Sequence, residues 1–234
     1  MIGYVAIFFH ILFTLAVYTA TRWLFVTYNN HPALNIVGLS AAFVILGLML
    51  CGISYEEYTP AKDIMCILLG PATVALALPL YRYRGILREK AWPILSSVLA
   101  GSLAGMVSST LICKWGGLPN DVVMSMLPKG ISIPFALEVT KMHGGIQPLA
   151  TAFIIATGTL GSLFGGWLLT CMKIQTPIAR GLTFGTISHA QGTAAAFLEG
   201  EQQGAMAGLA MILAGILTVG ISPAVVFCLE QILL

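Results

Sequence analysis

The sequence predicts an all-α fold, a polytopic transmembrane bundle of about seven or eight spans in which several helices are broken by proline or glycine. Three observations carry this. Of 234 residues, 58% are hydrophobic and only 9% charged, where soluble domains carry about 25% charged residues. Several runs reach the roughly 20 residues that a bilayer core requires, with no Asp, Glu, Lys or Arg. The stretch 128–138, PKGISIPFALE, then sets a lysine, two prolines, a glycine and a serine inside otherwise membrane-grade sequence. Proline has no backbone N–H and clashes with the preceding turn, so Pro128 and Pro134 either start helices or break one, freeing backbone groups near Gly130. Such groups need protein or water around them, which makes the stretch a candidate lining for a polar cavity at membrane depth.

In chain order, residues 2–24 read as a first span without basic leader or cleavage site, closed by Arg22 and Trp23. His10, Arg22 and the basic loop further on are expected as interfacial anchors. A turn at 29–32 leads to a second span, 34–53, and an acidic, aromatic loop at 55–58. Segment 64–81 carries Gly70-Pro71 and Pro79 and is expected to be a broken helix exposing Thr73. Residues 82–90, RYRGILREK, form the densest cationic loop, which the positive-inside rule assigns to the cytoplasm. A span at 91–113 with a small-residue face leads through a wet connection to the 128–138 motif. Segments 144–172, 181–198 and 202–229 follow, the second interrupted by SHAQGT at 188–193 and the last by Pro223. Either 128–143 or 181–198 can be a re-entrant hairpin instead of a crossing. If the former is, Lys173 and Arg180 fall on the cytoplasmic side.

An internal, inverted repeat is suggested more by architecture than by identity. A shift of 57 positions pairs Pro71 with Pro128, Gly101 with Gly158 and Leu111 with Leu168, each copy being a broken segment followed by a small-residue span. Residues 1–234 read as one transmembrane domain, with 1–60 as scaffold spans and 61–234 as the core holding the breaks. Five cysteines at no metal-ligand spacing argue against a metal site or a disulfide framework. Cofactors are expected to be none, and the small, dispersed net charge of +2 points away from nucleic acid.

Three motifs, LLGPATVALALPLY at 68–81, PKGISIPFALEV at 128–139 and SHAQGTAAAFLE at 188–199, together resemble the LrgB/CidB family over nearly the whole chain. That family includes bacterial inner-membrane proteins described as antiholin-like regulators of murein hydrolase activity, often encoded with a small LrgA/CidA-type membrane partner. A similar domain forms the C-terminal half of the plastid glycolate/glycerate translocator. The resemblance therefore implies transport of small monocarboxylates, with holin-like or antiholin-like regulation of cell lysis as the alternative, and an LrgA/CidA-type partner. At Gly130 the chain has glycine where serine is expected in relatives.

Lys129, following Pro128 at the start of an expected half-helix, suits a carboxylate, because backbone amides and the helix dipole there already favour an anion; the alternative is a lysine snorkelling to the headgroups. Thr73, Ser132 and Thr193 are candidate hydroxyl donors, or bond back to their own helices. Pro71, Gly130 and Gly192 belong to the breaks that shape the site. His189 is a candidate proton carrier, and Glu138 a candidate for coupling or gating or the partner of Lys141 in a helix-surface ion pair. No enzyme pattern is present: Ser188 and His189 are adjacent and diverge on a helix, and there is neither HExxH nor a phosphate loop. A homodimer, with the N-terminal spans in contact, is the expected assembly.

Overall fold

The structure, a computed structural model, describes residues 2–28, 36–68, 71, 74 and 77–233. The elements among these are all helices, and they fall into two compact units, Met1–Leu78 and Pro79–Leu234. Among the described residues, four helices are long and apolar enough to cross a membrane: Tyr4–Thr27, Ala91–Trp115, Gln147–Cys171 and Glu201–Leu229.

The first unit holds α1 (Ile2–Thr27), α2 (Ile36–Leu50) and α3 (Tyr55–Ile67). At Gly47 of α2 the missing side chain leaves room for the Phe13 ring of α1, and Thr21 Oγ1 lies 2.6 Å from Ser40 Oγ across the same pair. The expected acidic loop is instead the first turn of α3. Ser54 and Glu57 close a capping box there, and Glu56 and Glu57 sit where the helix dipole favours negative charge. Tyr58 then reaches α1, its hydroxyl 2.9 Å from Thr14 Oγ1. Its ring, with centroid 5.9 Å from that of His10, helps bury a histidine that sequence alone assigned to the interface. Pro71 is exposed, and Gly70 and Thr73 lie outside the described residues.

From the boundary at Leu78 onward, α4 (Ala77–Arg82) and, in the second unit, α5 (Arg84–Glu89) make helix of most of the expected basic loop. They precede α6 (Ala91–Trp115), α7 (Asn120–Met126), α8 (Ile133–Met142), α9 (Gln147–Cys171), α10 (Pro177–Glu199) and α11 (Glu201–Leu233). Two segments that read as possible crossings turn back instead. The first excursion leaves α7 and returns at the start of α9, where the Ile146 amide donates to Ser125 Oγ at 2.7 Å. Within it, α8 runs alongside α11: Phe135 packs on Gly215, and His143 Nε2 lies 3.1 Å from Ser222 Oγ. Residues 127–132, stitched by turns from Pro128 and Met126, form its apex.

The second excursion is α10 itself. His189 adopts φ 40° and ψ −129°, outside any helix, and the chain reverses there. Gly192 approaches the Phe184 carbonyl, and Arg180 clasps Glu199. A straight helix would hold the second pair about 28 Å apart, at ~1.5 Å per residue. Halves 177–188 and 190–199 are therefore an antiparallel hairpin. Its apex lies against Ile154, Gly158 and Gly161 near the middle of α9, and its base against Gly166 and Thr170 near that helix's end.

The hairpins enter from opposite ends of the unit. At ~1.5 Å per residue, α8 rises about 15 Å and residues 177–188 about 17 Å, together close to a bilayer core of roughly 30 Å. One end of the unit gathers Arg82, Arg84, Arg88, Lys90, Lys173 and Arg180, and Arg82 pairs there with Glu201 at 2.6 Å. The core between the ends joins Val98 and Met106 of α6, Leu127 and Ile131 of the first apex, Ile154 of α9 and Met206 and Ala210 of α11.

Candidate functional site

At the meeting of the hairpins is a niche of about 20 Å³, lined by Gly101, Ser102 and Gly105 of α6, Pro128 to Ile131 of the first apex, Thr186 and Ile187 of α10 and Thr218 of α11. Its volume matches one or two waters. Its wall is tight because Gly130 lies against the carbonyls of Thr186 and Ile187, where a Cβ would come within 3.4 Å of the former.

The polar content of this niche is unusual for a helical interior. Along α6 the hydroxyls of Ser96, Ser97, Ser108, Ser109 and Thr110 bond back to carbonyls of their own helix. Ser102 alone on that helix does not; it is 7% exposed and its Oγ is buried without a partner. Thr186 and Thr218, also buried, enter none of the side-chain hydrogen bonds among the described residues, and Lys129 none of the ion pairs. Residues bearing three hydroxyls and an ammonium, from four different elements, thus line one small space. Buried polar groups are almost always paired, so such a cluster calls for a reason. Lys129 also lines the inner end of an apolar groove of about 650 Å³, which follows Leu160, Phe164 and Leu168 of α9 along the second hairpin towards the basic end.

The apex of the second hairpin is spent on packing. His189 is 5% exposed, and its Nε2 lies 3.0 Å from the Ile154 carbonyl, reached only because Gly158, whose Cβ would stand 2.5 Å from the ring, has none. Ser188 fills the place of a side chain at Gly161, and Thr193 donates to the His189 carbonyl at 2.9 Å. Thr159 donates to Gln191 Oε1 at 3.0 Å. At the base, Arg180 donates to both Glu199 oxygens, to the Gly166 and Ile174 carbonyls and to Thr170 Oγ1.

Of the residues singled out by sequence, Pro128, Lys129 and Gly130 line the niche. Lys129 does so from the bridge between two short helices, not from a first turn: the chain does not resume helix until Ile133, because Pro134 fits only the first turn of α8. Ser132 is the N-cap of α8, half-buried and without a side-chain cap bond. Gly192, Thr193 and His189 are buried in the second hairpin, outside the niche lining. Glu138 is exposed on α8 and makes no ion pair with Lys141. Pro71 belongs to the first unit, and Thr73 lies outside the described residues. Sequence reading passed over Ser102, Thr186 and Thr218, which stand in apolar runs among many other hydroxyls. Only the missing back-bond distinguishes Ser102, and that is invisible in one dimension.

The model of the LrgB-like family matches residues 14–228. The chain belongs to that family. It is 33% identical to the holin-like protein CidB of Staphylococcus aureus strain Mu50 over 226 residues, 97% of this chain and 98% of that protein. It is 35% identical to the antiholin-like protein LrgB of Bacillus subtilis strain 168 over 185 residues, 79% and 78% of the two chains. The holin-like protein CidB of Staphylococcus epidermidis strain RP62A is 32% identical over 216 residues, 92% and 94%. No solved structure matches the chain.

Proposed function

We propose that this LrgB-like protein is an inner-membrane secondary carrier of small monocarboxylates of the glycolate, glycerate and pyruvate kind. The observation that supports this best is the niche itself, where a lysine, the unpartnered hydroxyl of Ser102 and two threonines line the space between two hairpins that enter from opposite ends. The apex of the second hairpin joins a helix C-terminus to a helix N-terminus, so the dipoles there largely offset, and Lys129 supplies the net charge for an anion. The inverted repeat, in which a broken segment precedes each small-residue span and Gly101 corresponds to Gly158, belongs to the same reading. In this reading 1–60 is a scaffold, 61–234 the moving core, the assembly a homodimer, and the seven or eight elements at membrane depth include both hairpins. The basic end faces the cytoplasm. The chain acts without a cofactor or catalytic residues.

Uptake of labelled glycolate, glycerate, pyruvate and lactate into proteoliposomes, with and without a pH gradient and an LrgA/CidA-type partner, tests this. Saturable uptake of at least one acid is expected. No uptake under any condition by inserted protein would exclude the carrier. If His189 couples a proton, His189→Ala retains uptake but loses its dependence on the gradient; an unchanged pH response removes His189 from that role.

A second reading, a holin-like or antiholin-like regulator of murein hydrolases and lysis, is favoured by the names of the relatives. Expression with and without the small partner separates the two. A regulator alters lysis in Lys129→Ala as in the unaltered chain, whereas a carrier's phenotype disappears with uptake.

A further inference from the structure

We propose that Ser102 is a specificity-determining contact: its hydroxyl bonds an oxygen on the carbon next to the carboxylate that Lys129 holds, so that acids bearing such an oxygen are preferred over acids with a bare α-carbon. This rests on the carrier reading above. Ser102 stands near the middle of α6, where a transmembrane helix is farthest from water, and its Oγ is buried with no partner. A serine in such a helix ordinarily bonds back to its own carbonyls, as Ser97 and Ser109 do on the same helix. Leaving a hydroxyl unpaired destabilises the protein, and the loss is recovered if a bound group supplies the acceptor or donor.

The surroundings of Ser102 fit a ligand better than a missing protein partner. Gly101 and Gly105 line the niche beside it, and a Cβ at Gly105 would meet nothing within 4 Å, so the helix is uncrowded one turn along from the buried hydroxyl. Lys129 reaches the same niche from the first hairpin, so charge and hydroxyl come from separate elements and read two points of one solute. A niche of about 20 Å³ admits a group of one or two heavy atoms, such as the α-oxygen of a short acid whose carboxylate Lys129 holds. A site built to bond a substrate oxygen rejects an isostere lacking it, because its own polar group is then left unpaired.

The test uses the full chain in mild detergent and the isosteric pair glycolate and propionate, in which a hydroxyl replaces a methyl, together with a thermal melt. The unaltered chain is expected to bind glycolate more tightly. Ser102→Ala should reduce that preference roughly three- to tenfold while still binding propionate, and should melt at the same or a higher temperature, because no bond within the protein is lost. Ser102→Thr, which restores the hydroxyl, should keep most of the preference. The inference falls if Ser102→Ala retains the full preference, if the unaltered chain shows none, or if Ser102→Ala unfolds or melts lower, which would make the hydroxyl structural. If the unaltered chain binds neither acid, nor pyruvate or lactate, the carrier reading falls with it; in the other cases that reading stands.

Discussion

The two hairpins of the second unit share a shape and differ in how they are finished. The first ends in a proline-bounded bridge, 127–132, whose lysine makes no ion pair among the described residues and whose serine caps nothing. The second ends in a strained His189 with its ring bonded, its neighbours seated in the glycine notches of α9 and its base clasped by Arg180. Both solve the problem that a chain reversal at membrane depth frees backbone groups. One solves it beside a polar niche, the other by close packing and side-chain bonds. The difference teaches that a polar residue in an apolar segment signals binding only when its bonding capacity is left over. By that criterion Lys129, which lines the niche and makes no ion pair among the described residues, is the better candidate for a ligand contact, whereas Thr193 is bonded to the His189 carbonyl.

The largest effect should come from the packing of the second hairpin. Gly185 lies against the backbone of Ala207 in α11, so Gly185→Ala must push two main chains apart; a loss of at least about 3 kcal/mol is expected, seen as loss of a monodisperse folded species in mild detergent. Gly220→Ala, with nothing within 4 Å of the added methyl, should be neutral. Equal behaviour of the two would mean that the hairpin is not tightly seated.

The clasp comes next. Arg180 and Glu199 have side chains only 12% and 24% exposed, and Glu199→Gln should lower stability by about 2–3 kcal/mol in a denaturation series. Arg82 and Glu201, at 60% and 50%, form the contrasting pair, and Arg82→Ala should cost under about 1 kcal/mol. Similar costs for both would remove the special role of the hairpin base.

At the first hairpin the expected loss is of binding, not of stability. Lys129→Ala should weaken carboxylate affinity by about 1.5–3 kcal/mol, roughly ten- to more than hundredfold, with an unchanged melting temperature. Unaltered affinity in a correctly inserted protein would contradict the assignment of Lys129.

A smaller effect isolates strain. His189→Ala and His189→Gly both lose the bond to Ile154, but only glycine relaxes at φ 40°; the glycine variant should be more stable than the alanine variant by about 1 kcal/mol or more. Equal melting temperatures would show that this backbone stores no strain. Smallest of all, Ser132→Ala should change stability by no more than about 0.5 kcal/mol, because Ser132 makes no side-chain cap bond.

Much of this was legible in one dimension. Hydropathy marked all four long helices, Pro128 and Pro134 marked the first break, and SHAQGT marked the second. Small residues at Gly158, Gly161 and Gly165 marked a packing face, and each receives a side chain of the second hairpin. The burial of His10 was not legible, since it depends on Tyr58 arriving from α3. The two-unit division was not legible either, because it depends on which helices meet.

The sequence by itself determined that the chain is helical, that it is built for a bilayer and that it breaks ahead of Pro134, since these follow from local properties: hydrophobicity summed over a run, and the missing N–H of proline; the interruption expected at Pro223 is not seen, because that residue lies inside α11. Tertiary structure alone decided that the breaks turn back instead of crossing, that Lys129, Ser102, Thr186 and Thr218 share one niche, and that His189 and Thr193 are satisfied elsewhere. Those outcomes depend on which backbone groups and hydroxyls find partners on other helices, and a hydrogen bond left unmade is a property of the packed chain.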